Sequence, residues 1–220
     1  MSEREYPFHD RHHAGRVLAH KLEHLRGAPD LLVLALPRGG VAVGFEVAQA
    51  LHAPLDVFVV RKLGFPGQEE YAMGAIASGG VTVLNPDSAP QVPPEAMAAV
   101  VAREQAELER RERLYRGDRP PLRLAGMTVV VVDDGLATGS TMEAAVRAIR
   151  KQQPAHLCVA VPVGARETCK RLRAQADEVV CAAMPVPFRA VGLAYDDFQQ
   201  ASDAEVRTLL EEARLDRVAH

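Results

Sequence analysis

The sequence predicts an α/β protein with a mostly parallel central sheet flanked by helices, and three observations carry that prediction. Short, almost wholly apolar runs such as LLVLAL at 31–36 and MTVVVVD at 127–133 are bounded by turn residues, as strands buried on both faces are. Stretches with apolar residues at helical spacing alternate with these runs, the order that makes βαβ units with right-handed crossovers. The composition, 48% hydrophobic and 25% charged, is that of a globular chain and excludes a disordered, collagenous or coiled-coil protein.

Taken in order, Arg11 to Leu25 sets Ala14, Val17, Leu18, Leu22 and Leu25 on one face behind Asp10 as N-cap, which predicts an amphipathic helix. The strand at 31–36 is broken by Pro37-Arg38-Gly39-Gly40, and Val41–Leu51 returns to helical spacing. LDVFVV at 55–60 reads as a second buried strand. Residues 61–80 hold five glycines and read as a loop, then a short strand at 72–77 and another at 81–84. Pro93–Tyr115 is rich in Ala, Glu and Arg without glycine, a long helix mostly solvated beyond Val101. After the strand at 127–133 come a helix at 140–152, strands at 156–162 and 177–183 around a helix at 165–174, and a last helix at 201–215. With neither repeat nor low-complexity linker, residues 1–220 read as one domain. Its core would cover 10–84 and 125–185, with an inserted helix at 93–117 and a hood at 185–200.

Charge and cysteines narrow the function classes. Lys and Arg total 26 against 29 Asp and Glu, a net charge of −3, the opposite balance to a protein whose main partner is duplex nucleic acid. Three cysteines without a CxxC spacing offer neither a disulfide framework nor a zinc site. The apolar runs are too short to cross a bilayer and the N-terminus lacks the apolar stretch of a signal peptide. A soluble cytoplasmic protein is expected, with no nucleic-acid or membrane partner.

The chemistry is concentrated in VVVVDDGLATGST at 129–141. Four valines make a rigid strand that ends in Asp133 and Asp134, where ligands of open α/β sheets bind. Thr138-Gly139-Ser140-Thr141 then opens a helix, whose free N–H groups and hydroxyls form a phosphate cradle. The segment lacks the lysine of a triphosphate P-loop and the G-x-G-x-x-G of a dinucleotide site. Two carboxylates beside a monophosphate cradle suit a phosphorylated sugar.

This segment resembles the phosphoribosyl-pyrophosphate (PRPP) signature of the type I phosphoribosyltransferases. Pro37-Arg38-Gly39-Gly40 is similar to that family's pyrophosphate loop, and Arg61-Lys62 to the basic pair before its flexible catalytic loop. The whole chain most resembles the bacterial group of these proteins whose acceptor is unassigned. The resemblance implies that Asp133 and Asp134 hold the ribose hydroxyls and orient the Mg2+ delivered with PRPP. It implies that Ala137, Thr138, Gly139, Ser140 and Thr141 bind the 5-phosphate, and that Arg38, Gly39, Gly40, Arg61 and Lys62 bind pyrophosphate. A non-proline cis peptide is implied near Pro37–Gly39. The partners would be PRPP and a nitrogenous base, and the assembly a homodimer. Closure of the 63–72 loop would exclude water and bring Glu69 or Glu70 up as base, while Phe188 and Tyr195 of the hood would stack on the acceptor ring. Ala137 stands where the hypoxanthine–guanine enzymes have a catalytic Asp, which counts against a 6-oxopurine acceptor. Two alternatives stay open: a PRPP-sensing regulator without turnover, and a phosphorolytic or hydrolytic enzyme on the same cradle.

Overall fold

In the computed structural model, which describes residues 6–218, the strands are β1 (Leu31–Ala35), β2 (Leu55–Val57), β3 (Val60–Phe65), β4 (Gln68–Ala77), β5 (Val81–Leu84), β6 (Thr128–Val132), β7 (His156–Val163) and β8 (Glu178–Ala183). The helices are α1 (Arg11–Lys21), α2 (Gly40–Leu51), α3 (Pro94–Arg116), α4 (Ser140–Lys151), α5 (Arg166–Leu172) and α6 (Asp203–Val218). A five-stranded sheet in the order β2-β1-β6-β7-β8 is parallel throughout, and β3-β4-β5 form a separate antiparallel sheet.

The apolar runs explain the first sheet. All of β1 and β6 is buried, and successive side chains go to opposite faces. Val33, Ala35, Val130 and Val132 pack with Leu18 of α1, Val43 and Val47 of α2 and Leu210 of α6. Leu32, Leu34, Val129 and Val131 pack with Met142, Val146 and Ile149 of α4 and Leu172 of α5. Each fully buried Val or Leu is worth about 1.5–3 kcal/mol, so this double burial holds the strands that carry the site. β1 and β6 pair from Leu31↔Thr128 to Ala35↔Val132, which sets their C-terminal ends level.

The predicted strand at 55–60 is two strands. β2 ends at Val57, Phe58 donates its N–H to Ala35, and Val59 exchanges hydrogen bonds with Ser78 as the chain passes into the second sheet. Phe58 and Val59 are buried on opposite faces, so the run stays apolar through the crossing. The predicted loop after residue 61 is also corrected: β3 and β4 form a hairpin closed by Pro66-Gly67, with Phe65 paired to Gln68. Gly64 and Gly74 serve close strand packing, a Cβ on Gly74 lying 2.5 Å from the Val83 carbonyl oxygen, whereas Gly67 at φ +78° makes the turn. In α3, Glu104, Leu108 and Tyr115 are buried beyond Val101, a helical stripe hidden among Arg and Glu. The described residues contain no helix long and apolar enough to cross a membrane.

Candidate active site

The chain leaves β1 toward β2 on one side and leaves β6 toward β7 on the other, so the neighbours β1 and β6 flank a topological switch point. Crevices at such points, beyond the carboxyl ends of the strands, are where ligands of open α/β sheets bind. Two turns meet there, Pro37–Gly40 after β1 and Asp133–Gly139 after β6. Each leads straight into a helix, α2 or α4, so two positively polarised N-termini open on one crevice.

The two turns are packed together through glycine. A Cβ on Gly39 would overlap Asp134 Oδ2 outright, and one on Gly40 would lie 2.8 Å from the Val132 carbonyl oxygen. The Pro37–Arg38 peptide is cis, in the segment where the resemblance implies such a bond.

Each acid has one oxygen held by the protein. Asp133 Oδ1 accepts the Asp134 N–H at 2.9 Å, and Asp134 Oδ2 accepts Arg11 Nε–H at 2.8 Å. The second oxygen of each has no hydrogen-bond partner among the described residues. Burial, reinforced by the neighbouring Asp134 charge, pushes the Asp133 carboxyl well above its ordinary value. Burial also raises Asp134, outweighing the Arg11 guanidinium beside it. Two close, desolvated carboxylates are a hard oxygen donor set. Mg2+ is held by one or two carboxylates together with substrate phosphates, which these residues fit. Among the described residues, no cluster of three or more His, Cys, Asp or Glu forms a dedicated metal cage.

The loop beyond the acids is tied down from one side only. Leu136 exchanges backbone hydrogen bonds with Val163 and Ala165 at 2.9 Å each. Thr168 Oγ1 donates to the Ala137 carbonyl at 2.7 Å, and an Arg171 NH2 group to the Thr138 carbonyl at 2.7 Å. With the carbonyls drawn toward α5, the N–H groups of Ala137 through Thr141 have no backbone acceptor among the described residues. Gly139 has φ +78°, which turns the chain into α4. Ala137, Thr138, Ser140 and Thr141 are exposed, with Thr138 and Ser140 hydroxyls 3.5 Å apart.

The remaining candidates are spread more widely. Arg38 reaches Asp203 at the start of α6, 3.8 Å away, and Asp203 also accepts the Tyr115 hydroxyl. Arg61 is bound by Glu104 of α3 at 2.7 and 3.0 Å. Lys62 takes the opposite face of β3 and lines a cavity of about 260 Å³ together with Ser140, Thr141 and Arg147. Glu69 is exposed, 3.6 Å from Arg103, and the Glu70 side chain lies outside the described residues. Phe188 packs partly buried against the cluster of Phe8, Val163 and Tyr195. Tyr195 is itself buried, its hydroxyl donating to the Asp134 carbonyl and its ring against Phe8 and Phe198.

Arg11, Thr168, Arg171 and Phe198 were not singled out from the sequence. Arg11 is 123 positions from Asp134 on a helix legible only for its apolar face, and no local spacing links the two.

The family described as Phosphoribosyl transferase domain matches residues 10–197. A Mycobacterium tuberculosis H37Rv protein with the provisional name phosphoribosyl transferase Rv0571c is 47% identical over 211 residues, 95% of this chain and 47% of that protein. The chain thus spans about half the length of the curated relatives it matches. The crystal structure of the protein TT1426 from Thermus thermophilus is 44% identical with TM-score 0.83, covering 93% of this chain and 98% of that one. A uracil phosphoribosyltransferase of Aquifex aeolicus is 29% identical over 119 residues, 54% of this chain and 55% of that protein. The family match runs from the residue that caps α1 to the segment lying over the acid pair, and the chain belongs to the type I phosphoribosyltransferase family.

Proposed function

We propose that this chain binds PRPP with Mg2+ and transfers its 5-phosphoribosyl group to a nitrogenous base, releasing pyrophosphate. The observation that supports this best is the acid pair, one oxygen of each carboxylate left for a ligand, between two helix N-termini at the switch point. The free oxygens of Asp133 and Asp134 accept from the vicinal ribose hydroxyls. The N–H groups of residues 137–141, with the Thr138, Ser140 and Thr141 hydroxyls, hold the 5-phosphate. The exposed backbone of Arg38-Gly39-Gly40 and the N-terminus of α2 receive the pyrophosphate, and Lys62 adds positive charge from the hairpin side. Magnesium, when bound, draws off charge that develops on the departing pyrophosphate. The hairpin of β3 and β4 excludes water from ribose C1, where displacement passes through an oxocarbenium-like transition state. A second reading, a PRPP sensor without turnover, draws on Ala137, which leaves the phosphate loop without the acid that serves as base in the hypoxanthine–guanine enzymes.

The test is pyrophosphate release from PRPP and Mg2+ with a panel of purine and pyrimidine bases and a blank without base, beside calorimetric PRPP binding. Base-dependent release supports the transferase and names its acceptor. Binding without release from any base supports the sensor, and no binding of PRPP removes both. Asp133→Asn with Asp134→Asn is expected to weaken PRPP binding by about 100-fold or more, from two charge-assisted hydrogen bonds of about 1.5–3 kcal/mol each. Because both carboxyls titrate above the ordinary value and must be ionised to bind, PRPP affinity is expected to fall with falling pH. That fall begins at a higher pH than for an ordinary carboxylate, and an affinity flat down to about pH 4 would remove the acids from the contact.

A further inference from the structure

Arg11 sits where three parts of the molecule meet, and none of its contacts is needed to build α1. Its Nε–H goes to Asp134 Oδ2 at 2.8 Å and its NH1 group to the Gln199 carbonyl at 2.6 Å. Its Cζ lies 4.0 Å from the centroid of the Phe198 ring, over one face. Tyr195 covers Phe198 in turn, the rings stacked at 5.0 Å, and returns to the same acid by donating its hydroxyl to the Asp134 carbonyl. A Cβ on Gly39 would lie 3.1 Å from Arg11 Nε, so the guanidinium also borders the turn after β1. The Arg11 and Asp134 side chains are only 12% and 17% exposed, which screens their contact from bulk water.

A carboxylate held by its backbone alone rotates about its own χ angles. Here the planar guanidinium fixes Oδ2 and thereby aims the other oxygen, while its second donor and its face clamp the segment from Tyr195 to Gln199. A lysine ammonium is a point donor without a stacking plane and cannot reproduce this arrangement. We propose that Arg11 is the positioning residue of the acid pair, orienting Asp134 toward the ribose hydroxyls and docking the 195–199 segment over them. The role rests on the reading of the crevice as a PRPP site.

The experiment measures PRPP affinity with Mg2+ by calorimetry for the wild-type chain, Arg11→Ala, Arg11→Met and Arg11→Lys, each with its thermal midpoint. Arg11→Ala and Arg11→Met are expected to bind PRPP at least about tenfold more weakly, the loss of one charge-assisted hydrogen bond. Arg11→Lys is expected to fall between them and the wild type. Added methylguanidinium should recover at least threefold of the lost affinity in Arg11→Ala and change nothing in the wild type, a rescue that a purely structural defect would not give. Hydrogen exchange at Asp197 and Gln199 should quicken in Arg11→Ala. Affinity within twofold of wild type in any of the three variants overturns the role of Arg11 and leaves the PRPP reading standing. A wild-type chain that does not bind PRPP overturns that reading, and the role with it. Should Arg11→Ala not fold, Arg11→Met and Arg11→Lys decide the same question.

Discussion

Gly39 is the point of closest packing in the site, because its missing side chain is the space that Asp134 Oδ2 occupies. Gly39→Ala must therefore displace either the acid or the turn after β1. It is expected to lower PRPP affinity by about tenfold or more and stability by about 1–3 kcal/mol, checked by calorimetry and urea unfolding. An alanine variant with wild-type affinity would contradict the packing. At this scale the sequence was legible where chemistry sits on consecutive positions. Asp133, Asp134 and the run to Thr141 could be read because a strand end and a helix start are both encoded within a dozen residues. Arg11 was illegible because its partner is remote, and a side chain's partner across the fold leaves no mark on its own helix. Tyr195 shows the same limit: an exposed-looking aromatic in a loop reads as a ring for stacking, whereas its buried hydroxyl braces the Asp134 backbone.

Among the elements, the hairpin of β3 and β4 departs furthest from the sequence reading. Its glycines suggested a loop, yet Gly64 and Gly74 admit a neighbouring strand at short range, and composition alone does not separate the two uses. Once residues 60–65 are a strand, alternation decides the fate of the basic pair. Arg61 turns to Glu104 on α3, and Lys62 turns to the cavity it shares with Ser140 and Thr141. Lys62→Ala is accordingly expected to cost more PRPP affinity than Arg61→Ala. Arg61→Ala should cost more stability, about 1–3 kcal/mol, because among the described residues it leaves the buried Glu104 carboxylate with its neighbour Arg103 alone. Measuring both variants by calorimetry and urea unfolding gives two rankings. If they run in the same order, the faces of β3 are assigned wrongly.

For the molecule as a whole, the parallel sheet itself, though not its strand order, followed from apolar runs alternating with helices, because strands buried on both faces read that way. The division into two sheets did not follow, since Val57, Phe58, Val59 and Val60 run apolar straight through the crossing. What ties the inserted α3 to the central sheet is an ion pair at the sheet's edge. Arg116 donates to Asp56 of β2 at 3.0 and 3.2 Å, with 8% and 13% of the two side chains exposed. Asp56→Ala leaves the Arg116 charge with the Pro120 carbonyl but without its carboxylate, and is expected to destabilise the protein by about 3 kcal/mol, against a smaller loss when Arg116→Met is added. Urea unfolding of the single and double variants checks this, and equal losses would mean that the charge is not the cause. A different tie joins the residues just before the matched span to its end: Phe8 pairs with Tyr195, its N–H bonded to the Ala194 carbonyl and its carbonyl to the Asp196 N–H. A ribosome makes Phe8 and Arg11 before the acid motif, and Tyr195 and Gln199 more than 50 residues after it. Every residue of the acid motif is therefore in place long before its brace exists, and a nascent chain halted short of Tyr195 carries the complete signature without a finished site.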